Sequence, residues 1–150
     1  MVDKARLNGE IVATLGAPLE SGVYNTPAEY HPTNVAVVPS GPRAGYFFIA
    51  DGYGKSWIHR YNARAEYLGT FGGPGKERGQ VSCPHGLMID MRSDEPRLVV
   101  ADRSNKRLQY FTLDGRHDGF VTDIVKAPCH FDQRGGELLV PDLSARVTLL

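Results

Sequence analysis

At 150 residues and 41% hydrophobic, the chain is long enough for one globular domain with a real core and too short to expect a second. Seventeen basic and seventeen acidic side chains cancel, with no block of like charge, which argues against a nucleic-acid or anionic-membrane partner and for a small or neutral one. The longest apolar runs, YFFIA (46–50) and LVVA (98–101), are far too short to span a bilayer. Residues 1–20 hold no apolar run of signal-peptide length, and Cys83 and Cys129 make no disulfide framework, so a cytoplasmic protein is expected.

In chain order, EIVATLG (10–16) is the first predicted strand. HPTNVAV (31–37) follows, a short strand led by a proline. Next comes YFFIADGYGKSWIHRY, an apolar strand ending at Asp51, a polar turn and an alternating strand, and EYLGTFG (66–72) closes the unit. The same order returns in CPHGLMI (83–89), RLVVAD ending at Asp102, KRLQYF and DGFVTDI (118–124). It returns again in APCHFD (127–132), ELLVPD ending at Asp142, and RVTLL. The Asp residues step by 51 and then 40 positions, close to the length of a propeller blade. The strand before each Asp is apolar on both faces, as in a sheet sandwiched between two others.

These features predict an all-β fold, a β-propeller of four-stranded antiparallel blades: outer strand 10–16, blade 31–72, blade 83–124 and an incomplete blade 128–150. The twelve predicted strands equal three blades, whereas closed propellers usually take about four to eight. Two expectations follow. Either the chain is part of a longer protein, or a homodimer completes a six-bladed ring, with strand 10–16 of one copy finishing the last blade of the other.

The stretches HPTNVAVVPSG, ADGYGKSWIHRY, PGKERGQVSCPHGLMID and VVADRSNKRLQYF carry a resemblance. They are similar to NHL-type repeats of six-bladed propellers, and from about residue 7 to 121 they resemble the catalytic core of the peptidylglycine amidating lyase family. The resemblance implies a lyase that splits a peptidyl α-hydroxyglycine into a peptide amide and glyoxylate. It implies that the Tyr of DGY and the Arg of ADR flank the substrate and that the His of PH is one of three zinc ligands. By position these are Tyr53, Arg103 and His85, the other two ligands falling outside this chain. Zinc is the implied cofactor, with calcium as a lesser structural candidate. Secreted members carry a Cys after DGY and a pair bracketing ADR. Here Gly54, Val99 and Tyr110 stand there, which fits a reducing compartment.

The chemistry is coherent. Three imidazoles with an open fourth position let zinc polarise an oxygen, and a residue just after the proline of an innermost strand points to the channel, which places His85. A cation or metal beside a phenol favours the phenolate, so Tyr53 suits a general base and Arg103 a carboxylate clamp. Aligning the prolines puts Thr33 and Cys129 at the position of His85, with His130 one residue on. Cys129 and His130 are the further metal candidates, of which at most one can face the channel.

Each residue also has a structural reading. His85 as a strand start bonding the next blade, Tyr53 as a turn cap and Arg103 paired to a turn Asp are all open. Cys129 and His130 read as buried strand residues, Trp57 and His59 as packing, and Asp51, Asp102 and Asp142 as turn anchors. His31 reads as a strand lead-in and His117 as a turn residue. GGPGKERG (72–79) lacks the first Gly and the Ser or Thr of a phosphate loop and reads as a connection between blades. Two functions remain: a metal-dependent lyase or hydrolase-like enzyme acting on a small polar substrate, or a non-catalytic scaffold recognising a protein or peptide.

Overall fold

The strand that runs into each Asp pairs with the strand before it and the strand after it, so each repeat folds as an antiparallel meander. The computed structural model describes all residues, 1–150, in thirteen strands. The hairpin β1 (Val2–Ala5) and β2 (Ile11–Leu15) is followed by the sheet β3 (Asn34–Val37), β4 (Phe47–Ala50), β5 (Trp57–Tyr61) and β6 (Tyr67–Gly72). The next sheet is β7 (Pro84–Asp90), β8 (Arg97–Asp102), β9 (Arg107–Thr112) and β10 (His117–Val121). The last is β11 (Asp132–Arg134), β12 (Glu137–Asp142) and β13 (Arg146–Leu149). Within every sheet the strands lie in sequence order. No helix is long and apolar enough to cross a membrane.

The double-sided burial expected of the central strands is what holds the sheets face to face. Along β8, Leu98 and Val100 pack with Phe48, Ala50 and Ile58 of the first full blade. Val99 and Ala101 point the other way, onto Phe131, Leu138 and Val140 of the third. Burying each Leu, Val, Ile or Phe among them contributes about 1.5–3 kcal/mol, which is why a run with no polar face is stable here.

Three details differ from the sequence reading. Strand 10–16 is not a lone outer strand, because β1 pairs with it. Its turn repeats the outer turns of the two full blades: Arg6 N–H bonds Glu10 O, Asn62 N–H bonds Glu66 O and Thr112 N–H bonds Arg116 O. The hairpin is therefore the outer half of a blade, and a second copy closing a ring would have to accommodate β1 as well. The innermost strand of the third blade starts at Asp132. Before it, Pro128 makes one isolated bridge to Asp142, and Phe131 turns into the core. His117 opens β10 instead of sitting in a turn, with its ring 5.8 Å from those of Phe111 and Phe120.

The three Asp residues are buried anchors that tie the lead-in of each blade to its own central strand. Asp51 accepts from His31 N–H and Lys55 N–H, both at 2.6 Å. Asp102 accepts from Ser82 N–H at 2.7 Å. Asp142 accepts from Lys126, Ala127 and Ser144 N–H groups. Burial alone would raise the Asp142 carboxyl, but Ser144 and the amides of Ala127 and Lys126 hold it well below the usual carboxylate range.

His59 joins the first anchor. Its Nε2 is 2.7 Å from the Tyr24 hydroxyl, which donates to Asp51 at 2.7 Å, and its Nδ1 is 2.8 Å from Thr70 Oγ1. Because Tyr24 gives its proton to Asp51, it accepts the Nε2–H, and in the neutral ring that burial favours Nδ1 accepts from Thr70. Burial pushes the imidazole down to about 4, against an upward pull from Asp51. An unfolded His binds a proton near pH 6.5, so between about pH 6.5 and 4 the unfolded state binds more protons than the fold, and stability falls as the pH falls. His59 should account for a loss of about 3 kcal/mol from pH 7 to 4. His59→Gln mimics Gln109, which holds the same place in the second full blade. It should flatten that part of the pH dependence in urea melts, and an unchanged pH dependence would contradict the assignment.

Candidate functional site

The loops that follow β4 and β8 present Tyr53 and Arg103 on the same face, and an equivalent backbone bond fixes each. Tyr53 N–H donates to His31 O at 3.3 Å, Arg103 N–H to Cys83 O at 3.3 Å, and in the third blade Leu143 N–H to Ala127 O at 3.0 Å. The DGYG turn needs its glycines. A Cβ on Gly52 would run into the Pro84 carbonyl and the Thr33 side chain, and one on Gly54 into the Asp51 carboxylate. Tyr53 is thereby carried out to 60% exposure, over the start of the next blade.

There it meets His85. The Tyr53 hydroxyl lies 2.9 Å from His85 Nε2, with the rings edge to face at 5.5 Å. His85 Nδ1 lies 2.8 Å from the Cys129 carbonyl oxygen. A carbonyl only accepts, so Nδ1 carries the proton and Nε2 offers its lone pair to the Tyr53 O–H. Arg103 completes the group: Nη1 donates to the Tyr53 oxygen at 3.2 Å, and its guanidinium carbon stands 5.2 Å from the Tyr53 ring centre. One phenol is thus held between an imidazole acceptor and a guanidinium donor, at the edge of solvent.

The three blade starts converge. Asn34 of the first full blade accepts from Leu87 N–H of the second at 3.2 Å, and its amide nitrogen lies 3.3 Å from His130 Nδ1 of the third. Gly86 permits this closeness: a Cβ there would stand 2.5 Å from Cys129 O and 2.8 Å from His130 Cα.

Tyr53 touches both His85 and Arg103. Cys129 reaches His85 through its carbonyl, while its thiol turns back to Ala127 O at 3.5 Å, and His130 is engaged with Asn34. No three His, Cys, Asp or Glu side chains gather closely enough to hold a metal. A residue the sequence reading passed over, Cys83, lies against Arg103 Nη2 at 3.0 Å. Burial pushes its thiol up, opposed by the charge of Arg103. Nothing in its type or spacing marked it, since its contact depends on a left-handed turn with φ of 54°.

No family profile matches the chain. Peptidylglycine alpha-amidating monooxygenase of Rattus norvegicus is 37% identical over 100 residues, covering 64% of this chain and 10% of that protein. The chain thus spans about a tenth of the length of this relative. Peptidyl-alpha-hydroxyglycine alpha-amidating lyase 2 of Drosophila melanogaster is 38% identical over 77 residues, covering 51% of this chain and 17% of its own. NHL repeat-containing protein 3 of Mus musculus is 28% identical over 158 aligned positions, covering 99% of this chain and 44% of its own. Among solved structures, the WD40 β-propeller domain of Doa1 superposes with a TM-score of 0.61 at 14% identity, over 95% of this chain and 40% of that one.

The chain has a β-propeller fold and resembles NHL-repeat proteins and the amidating lyases. In this NHL-like propeller, as in the sequence reading, the Asp-ended strands are the central strands of stacked blades, and the proline-led segments meet, as strands in the two full blades and as the lead-in before β11 in the third.

Proposed function

We propose that the protein is a lyase of the amidating type, breaking the C–N bond of an α-hydroxyglycine group at the mouth formed by its blade starts. The observation that carries this reading is the Tyr53 hydroxyl, bonded at once to His85 Nε2 and Arg103 Nη1. A base for the substrate hydroxyl must lose its own proton as it takes another. Tyr53 has a place to send it: the proton moves to His85 Nε2 as the substrate O–H proton moves to Tyr53. The substrate oxygen then forms the aldehyde C=O of glyoxylate, the C–N pair leaves with nitrogen, and the imidazolium proton returns through Tyr53 to the amide nitrogen. Arg103 keeps a guanidinium beside the phenol, where it stabilises negative charge on the oxygen and suits the substrate carboxylate.

Zinc belongs to the reading as a proposed cofactor. His85 could ligate zinc through Nε2 only by giving up its bond to the Tyr53 hydroxyl, Cys129 offers its carbonyl and His130 is tied to Asn34, so the side chains present do not make a zinc site together, and no step is drawn through the metal. A second reading, a surface that docks a peptide or protein, draws support from Leu143. It occupies the loop position of Arg103 in the third blade and is 68% exposed on the same face.

The test is release of glyoxylate from a peptidyl α-hydroxyglycine, with and without added zinc, alongside elemental analysis of the protein. The lyase reading expects glyoxylate from the wild type and its loss in His85→Ala. Glyoxylate no faster than the spontaneous rate, with or without zinc, would overturn it and leave the docking surface.

A further inference from the structure

The repeats allow a comparison of one position across three blades. His31, Cys83 and Ala127 each use a backbone carbonyl to hold the loop residue after the anchoring Asp, respectively Tyr53, Arg103 and Leu143. That grip is common to all three. Only in the second full blade does the side chain grip as well: Cys83 Sγ accepts from Arg103 Nη2 at 3.0 Å, while Cys83 O accepts from Arg103 N–H at 3.3 Å. Both ends of Arg103 are therefore tied to a single residue.

Cys83 is itself fixed from the first full blade, because its N–H donates to Ser56 Oγ at 3.2 Å, and its backbone sits at φ 54°. Ser82 next to it is pinned to Asp102 at 2.7 Å, and Ser104 N–H returns to Ser82 O at 3.0 Å. A long, flexible Arg at a solvent edge ordinarily loses much of its binding strength to side-chain freedom. Here one Nη is committed to the thiol, so the other is aimed at Tyr53.

We infer that Cys83 is a positioning residue: it orients the Arg103 guanidinium so that Nη1 faces the Tyr53 hydroxyl and the carboxylate of an incoming substrate. This rests on the lyase reading for its kinetic consequence but not for its structural one, and the two are tested separately.

The structural arm uses isotope-labelled protein, with the Arg103 side-chain signals identified by their disappearance in Arg103→Lys. The wild type should show separate, slowly exchanging Nη signals. Cys83→Ala and Cys83→Val should merge them through free rotation, and Cys83→Ser, whose hydroxyl also accepts, should restore them at least in part. Ala, the smaller replacement, guards against a Val variant that fails to fold. Unchanged Nη signals in Cys83→Ala overturn the inference. In the kinetic arm, a folded Cys83→Ala should raise KM for the α-hydroxyglycine substrate about tenfold and lower kcat with it, since a guanidinium free to rotate no longer stands by the Tyr53 oxygen, with Cys83→Ser between it and the wild type. A KM equal to the wild type's also overturns the inference. If the wild type releases no glyoxylate, the lyase reading fails, and the Nη signals alone decide the role of Cys83.

Discussion

Replacing Tyr53 with Phe is expected to lower turnover of an α-hydroxyglycine substrate by on the order of 10²- to 10⁴-fold, the range typical of removing a general acid–base group. The fold should not notice. Tyr53 is 60% exposed and belongs to none of the core clusters, and its backbone is held by the His31 carbonyl whatever the side chain. The ring that Phe keeps still offers an edge to His85 and a face to Arg103. Only the oxygen is lost, and with it the path from the substrate hydroxyl to His85 Nε2. If Tyr53 and His85 act as one relay, the double variant with His85→Ala should be little slower than either single one, because a broken relay is not broken further by losing its second member. Single-turnover glyoxylate release, with melting temperature as the control, measures this. A Phe variant as fast as the wild type would remove the phenol from the chemistry.

How far such a site can be read from sequence depends on whether side chains or backbone carry it. The blades were legible because their signal is repetitive and chemical: apolar runs, a closing Asp, a proline before the inner strand. The double-sided run RLVVAD could only be the middle of a stack, and β8 is that. β1 was not legible, since VDKA has two charges in four residues and only Val2 is even half-buried. It declares itself by its turn bonds, not its composition. His117 was misplaced because its strand reads as polar, while the ring is held by Phe111 and Phe120.

Within the site, Tyr53, His85 and Arg103 stood out because the resemblance to the amidating lyases falls on them, and each is a reactive side chain just past a structural mark. Their partners did not. Cys129 contributes a carbonyl, which no residue type reveals. Asn34 meets His130 across 96 positions of sequence, and Cys83 works from an unusual backbone angle. The sequence indicated which groups could react; the blade packing decides which groups orient them.

The same packing makes Asp102→Ala the most damaging single change expected, at about 3–5 kcal/mol, the usual cost of stripping one partner from a buried ion pair. Asp102 has no solvent exposure and faces four donors: Ser82 N–H at 2.7 Å, Arg107 Nε at 2.7 Å, Gln109 Nε2 at 3.0 Å and the Asn105 amide at 2.9 Å. Removing it leaves the nearly buried Arg107 guanidinium without its counter-charge, though the Glu77 and Gln80 carbonyls still accept from Nη2. Asp142 is the internal control. It anchors the same point of the third blade but serves only backbone N–H groups and Ser144, with no buried cation. Asp142→Ala should therefore cost less, about 1–3 kcal/mol, the penalty of leaving buried donors unpaired. Urea denaturation of the two variants compares them directly. Loss of Asp102 should also free the Ser82–Cys83 segment and with it Arg103, so that any Asp102→Ala protein that still folds binds substrate poorly. Equal destabilisation by the two substitutions would mean that the Arg107 pair adds nothing to what the backbone bonds already provide.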